Sequence, residues 1–374
     1  MIAAVLAFVA GAAAGAGLSY ARWLRGRPEI KALRLRSRLL YELAEGDLEQ
    51  VGDELEEACE RETADPSLFL ALAAIDRERE RIGRAKSIHR TVLASEDLPS
   101  EQRVAALLGL GRDLLREGNE RAAVGALVRA NSLSPRSVAT LRSLAKALEQ
   151  AGAWERAAAA WERVERQVHG RAARDAKIGR GHALAEQAEN FRRAGDEKRA
   201  RRSAERGTMF APDSAHSWSV RARVEAAVGD PQEAMIAWQR AWELGPAQAG
   251  EIVEEAWRWA ERQGRQADVM ARMLASSRDT TEPALAIALA HRVALQHPEQ
   301  AASALEQVAA TSSFAQLALI RLRLRRGQRD QAREAALRAT ASALLVCGRC
   351  RDDLRETPFR CERCQRWDTG VRED

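Results

Sequence analysis

Aromatic side chains are scarce: Phe, Trp and Tyr make up 5% of 374 residues, and only two are Tyr. Runs of Val, Ile and Thr are almost missing too, so the raw material of large sheets is not there. Net charge is small, +5 from 59 basic and 54 acidic residues, which predicts solvated helix faces of mixed sign and by itself no nucleic-acid partner. Catalytic signatures are also lacking. "GLG" at 109–111 and "GRG" at 179–181 have neither the third glycine nor the preceding strand of a dinucleotide loop, and no P-loop, HExxH helix or nucleophile elbow occurs. The six histidines are scattered without metal-ligand spacing. No nucleophile or acid–base set is gathered by the pattern, so the expectation is a protein that is not an enzyme. What the chain does have is Ala, Leu, Arg and Glu, strong helix formers, in a length beyond what one hydrophobic core supports. An all-α, elongated array follows.

Residues 2–21, "IAAVLAFVAGAAAGAGLSYA", carry no charge over a length that suits one membrane-crossing helix. A buried Ala/Gly helix or a cleaved signal competes with this reading, but a signal normally opens with basic residues, and here Met1 is followed at once by apolar ones. Seven basic residues (Arg22, Arg25, Arg27, Lys31, Arg34, Arg36, Arg38) against the single acid Glu29 then follow, placing the bulk of the chain in the cytoplasm by the positive-inside rule. The expected organisation is an anchor over 1–24, with Trp23 at the headgroup level, and a basic linker over 25–35. Ala7, Gly11 and Gly15 recur every fourth residue, a stripe along which two copies can pair in the membrane as a homodimer.

Self-similarity dominates the middle. In "ALLGLGRDLLREGNERAAVGALVRANSLSP", residues 106–135, the signposts are Leu107, Leu110, Gly111, Leu114, Ala123, Leu127, Ala130 and Pro135. Adding 34 reaches Leu141, Leu144, Ala145, Leu148, Ala157, Trp161 and Val164. The template fits again at Leu184, Ala188, Phe191, Ala200, Ala204 and Pro212, and at Trp218, Ala222, Ala234, Trp238, Ala241 and Pro246. This is the tetratricopeptide pattern, a helix–turn–helix unit that buries its apolar face only against its neighbours. Weaker copies on both sides extend the expected superhelix, an α-solenoid, over 36–345 in roughly nine helical pairs. Between the second and third clear copies nine extra residues, within "QVHGRAARDAKIGRG", require longer helices or a loop.

Trp161, Trp218 and Trp238 fall on signature positions and read as core, as does His89. Trp257 and Trp259, two residues apart on one helix, cannot both face inward, so one is expected to line the concave groove. Cys59 reads as a small buried apolar residue.

The chain closes on Cys347-x2-Cys350-x10-Cys361-x2-Cys364, two knuckles that can set four thiolates around one ion with no open position, a structural metal site over 346–370. A reducing cytoplasm disfavours the disulfide alternative. Zinc is the expected metal, and a single iron, as in an electron-transfer module, is the alternative that spacing does not separate from it. Seven Arg and seven acids from Arg349 onward leave no excess charge for phosphates, so no nucleic acid is expected here either. The segment is expected to form a rigid knob docked on the last helical pairs, presenting Phe359 and Trp367.

Anchor, repeats and cysteine ribbon together resemble one family, lipopolysaccharide assembly protein B. The likeness is sharpest over 83–127, "GRAKSIHRTVLASEDLPSEQRVAALLGLGRDLLREGNERAAVGAL", with its "IH", "LP-EQR" and "LGRD" elements, and in the ten-residue spacer followed by Trp367. The resemblance implies a rubredoxin-like ribbon whose ligands are Cys347, Cys350, Cys361 and Cys364. It also implies an inner-membrane adaptor, without enzymatic activity, that regulates lipid A synthesis by directing a membrane-bound protease to the committed deacetylase. Another envelope-assembly or secretion complex is the alternative cargo for the same scaffold.

Overall fold

The computed structural model describes residues 48–60, 65–309, 311–336, 345–347 and 370–372. The expected anchor over 1–24 and linker over 25–35 lie outside them. Among the described residues no helix is long and apolar enough to cross a membrane.

The chain divides into two compact units at Pro135/Arg136. The first contains α1 (Leu48–Cys59), α2 (Pro66–Glu78), α3 (Ile82–Leu93), α4 (Ser100–Arg116) and α5 (Glu120–Leu133). The second contains α6 (Val138–Gln150), α7 (Trp154–Glu165), α8 (Arg171–Arg193), α9 (Glu197–Phe210), α10 (Ala215–Val228) and α11 (Pro231–Leu244). A 3-10 turn, Pro246–Gln248, leads on to α12 (Ala249–Gln263), α13 (Gln266–Asp279), α14 (Pro283–Val293), α15 (Pro298–Val308), α16 (Ser313–Arg325) and α17 (Arg329–Ala336). From α2 onward the helices alternate as first and second members of a pair, giving eight pairs and the extra helix α1 among the described residues. The nine inserted residues do not loop out: they lengthen α8 to 23 residues.

Turn chemistry explains the pairing. Gly118, Gly195 and Gly229 end the first helices with φ of 77°, 74° and 91°, left-handed values that glycine adopts without penalty. The next residue then caps the second helix. Asn119 accepts from the Ala122 N–H, Asp196 from Arg199 and Asp230 from Glu233, at 3.0–3.2 Å. The turn between α2 and α3 departs from the rule, since Glu80 holds φ 59° where six of the seven other turns within pairs carry a left-handed glycine. Glu80→Gly should therefore stabilise the first unit by about 0.5–1 kcal/mol, because left-handed geometry costs an L-residue about 1–2 kcal/mol and the exposed pair from Glu80 to Arg116 returns less. A urea melt checks the sign.

The signposts sit where packing requires them. Leu107, Ala123, Leu127, Ala130, Leu141, Ala145, Ala157, Val164, Ala200, Ala204, Ala234 and Trp238 are at most 1% exposed, whereas Leu110, Phe191 and Trp218 are only partly covered. Small residues let paired helices approach, and the large ones fill the gaps between pairs. In the second unit the largest apolar cluster runs without a break from Ala222 to Leu322 and includes Trp238, Trp242, Trp257 and Trp259.

Two short strands complete the described residues, β1 (Leu345–Cys347) and β2 (Gly370–Arg372), antiparallel with Cys347 opposite Gly370. β2 lies against the turn Pro246–Gln248, and the rest of the expected ribbon lies outside the described residues. That turn breaks the helical run at Pro246 and carries the small side chain of Ala247, so a strand backbone can come close.

Candidate functional site

In a tetratricopeptide array the first helices of successive pairs line one face. In the second unit α8, α10, α12 and α14 carry a polar seam along it. Glu189 of α8 is bonded by Arg192 at 2.7 Å and by Arg193 at 3.1 Å, and it faces Arg223 of α10 at 3.5 Å. Arg223 reaches on to Glu255 of α12 at 3.3 Å, and Arg292 of α14 reaches back to Glu254. Burial alone would raise the Glu189 carboxyl, but the Arg192 bond and the charges of Arg223 and Arg193 outweigh it and hold its pKa below the usual range. Beside it Glu186, also lowered, pairs with His216 at 3.0 Å against the same burial penalty. His182 bonds the Ser214 hydroxyl at 3.0 Å, and its ring meets that of His216 edge-on. Four repeats are thus tied together by charge-assisted bonds, a face with fixed rather than floppy side chains. In front of α12 it opens into a hollow of about 630 Å³ lined by Gly250, Glu251, Glu254, Glu255, Arg258 and Arg262.

Neither Trp257 nor Trp259 lines this groove. Trp259 packs on Trp238 with ring centroids 4.9 Å apart, and Trp257 lies on the other flank, under Arg292 and bonded to Glu261. Both are buried, because a first helix inside an array is covered on two flanks by its neighbours.

The first unit has its own buried set. Asp113 of α4, with no exposed surface, accepts from Arg77 of α2 at 2.9 Å and from His89 of α3 at 2.6 Å. A carboxylate only accepts, so the proton sits on His89 Nδ1. The imidazole rests on Gly109, where an added Cβ would fall 2.0 Å from Nε2. This accounts for the "GLG" as close packing. His89 was expected to be core, but the buried Asp113–Arg77 pair it joins was not anticipated. The only signal was the polar Asp113 inside an otherwise apolar helical stripe. A second buried carboxyl, Asp76, faces Arg84 at 3.4 Å and Arg81 at 3.9 Å. Burial raises its pKa against their pull.

Cys59, at the end of α1, is half-buried beside Leu55 and Leu68, and burial pushes its pKa up to about 11. At pH 7.5 it should alkylate at least about tenfold more slowly than an ordinary exposed thiol, because far less of it is thiolate. Site-resolved mass spectrometry checks this, with the difference vanishing in urea.

Of the four expected metal ligands, Cys347 ends β1 while Cys350, Cys361 and Cys364 lie outside the described residues. Cys347 pairs with Gly370 across the two strands, and the other three cysteines fall in the sequence between them, outside the described residues. That donor set fits zinc, or iron, in a closed structural site. Among the described residues no group of three or more His, Cys, Asp or Glu side chains is arranged to hold a metal.

The described chain is accordingly an array of tetratricopeptide-type helical pairs. No protein-family model matches it, and no curated protein does. Among solved structures it is similar to a tetratricopeptide repeat protein from Parabacteroides merdae, at 15% identity and TM-score 0.41 over 69% of this chain and 98% of that one. It is also similar to the MamA protein (17%, 0.38, over 49% and 93%) and to YrrB, "a TPR protein with an unusual peptide-binding site" (16%, 0.40, over 51% and 92%). The repeat assignment rests on the chain's own 34-residue geometry.

Proposed function

We propose that the chain is a non-enzymatic adaptor, held in the inner membrane by residues 1–24 with its bulk in the cytoplasm, that binds protein partners through its repeats. The observation that carries this reading is the seam of Arg–Glu pairs across α8, α10, α12 and α14. A face already ordered before binding loses little side-chain entropy when a partner docks, which favours recognition over chemistry. The membrane anchor raises the effective concentration of partners that share the bilayer.

The finer reading follows the resemblance. The partners are a membrane-bound protease and the committed deacetylase of lipid A synthesis, and the adaptor promotes degradation of the second by the first. Cys347, Cys350, Cys361 and Cys364 hold one zinc, which fixes the fold of the terminal ribbon. The test is isolation of the full-length protein from membranes under reducing conditions, with bound metal counted and co-purifying proteins identified. A membrane protease or lipid A enzymes with about one zinc per chain supports the reading. Iron, or an unrelated envelope complex, moves the function to one of the alternatives.

A further inference from the structure

Beyond the seam, α12 and α16 carry arginines that have no acidic partner among the described residues. α12 packs beside α14, and α14 beside α16. On α12 the buried residues Ile252, Val253, Ala256 and Ala260 leave Arg258 and Arg262 on the outer face. On α16 Leu319, Ile320 and Leu322 are buried while Arg321 and Arg325 are exposed. The acids at this end are already engaged: Glu254 by Arg292 and Arg258, Glu255 by Arg223, Glu261 by the Trp257 indole and Glu299 by Arg326. Arg262, Arg321 and Arg325 have no acidic partner among the described residues. Two large apolar side chains stand out in the same segment, Leu295 just past α14 at 84% exposure and Leu324 on α16 at 53%.

Cations in the last turn of a helix favourably offset its dipole, by about 0.3–1 kcal/mol each. That accounts for a lone arginine at a helix end, but not for exposed leucines beside unpaired ones. We infer that the C-terminal ends of α12, α14 and α16 form a docking strip for an acidic segment of a protein partner, one that alternates carboxylates with aliphatic side chains. Carboxylates bridge to Arg262, Arg321 and Arg325, and aliphatic groups cover Leu295 and Leu324. Glu251, Glu254 and Glu255 lie on the same helix face as Arg258 and Arg262, so the cations are spaced out among acids and offer no continuous basic track for a phosphate backbone or an anionic bilayer. A peptide can place its charges one at a time. This inference rests on the adaptor reading and specifies which surface and what partner chemistry that reading uses.

The test uses the full-length protein in detergent and a labelled twelve-residue peptide of Glu, Asp and Leu, with a Gln, Asn and Leu peptide of the same order as control. Anisotropy should show binding of the acidic peptide only, weakening as salt rises, and the triple variant R262Q/R321Q/R325Q should lose at least about tenfold in affinity. R202Q/R206Q, on the exposed side of α9, should bind like wild type. Equal binding of both peptides, no binding of the acidic one, or an unaltered triple variant would overturn the strip. So would phosphatidylglycerol vesicles competing the peptide away. Membrane co-purification separates the two levels. Partners retained by both wild type and triple variant refute the strip and leave the adaptor standing, whereas no partner on wild type removes the adaptor reading itself.

Discussion

Asp113→Ala is expected to destabilise the first unit by about 3–5 kcal/mol, the usual cost of removing one member of a buried charged set. The substitution strips Arg77, itself largely buried, of its carboxylate and leaves the His89 Nδ1–H without an acceptor. Helices α2, α3 and α4 lose their common fastening together, so hydrogen exchange should speed up in all three. The companion variant R77M/D113L removes both charges at similar volume and should recover more than half of the loss, although His89 remains unsatisfied. Equal damage from both variants would mean that shape, not charge balance, holds the site.

Gly181→Val is the second large effect, expected to cost about 3 kcal/mol or more through overpacking. An added Cβ at Gly181 would lie 2.6 Å from the Ala211 Cβ and 2.9 Å from both the Ala211 nitrogen and the Gly207 oxygen. Two of those three neighbours are backbone, so relief requires α8 and α9 to separate. Circular dichroism melts and proteolysis between α8 and α9 measure the damage. Gly250→Val, on the same unit where nothing lies within 4 Å of the added atom, is the control and should be neutral or slightly stabilising, by a few tenths of a kcal/mol at most, since valine is the better helix former.

Legibility in the sequence followed the kind of force involved. The pairs were readable because a period of 34 repeats the same small and apolar residues, and Ala123, Ala130, Ala157 and Ala200 are fully buried. Their turns were readable because Gly118, Gly195 and Gly229 each precede an Asn or Asp that caps the following helix. Glu80, doing a glycine's work, had no such signal. The polar seam was invisible for a different reason. With 59 bases and 54 acids, almost any Arg has a Glu at helical spacing, and only the stacking of α10 on α8 picks out Arg223 for Glu189. Trp257 misled because helical phase shows which face a residue is on but not how many faces the neighbours cover. The strand β2 lies against the turn Pro246–Gln248, a long-range contact with no local pattern to announce it.

The decisive measurement is the half-life of the committed lipid A deacetylase in cells depleted of this protein and then supplied with wild type or with Cys350→Ser. Depletion should lengthen the half-life several-fold, wild type should restore it, and the cysteine variant, its ribbon unfolded but its helical signal nearly intact, should not. A half-life unchanged by depletion would contradict the proposed lipid A role and leave only the array of tetratricopeptide-type helical pairs.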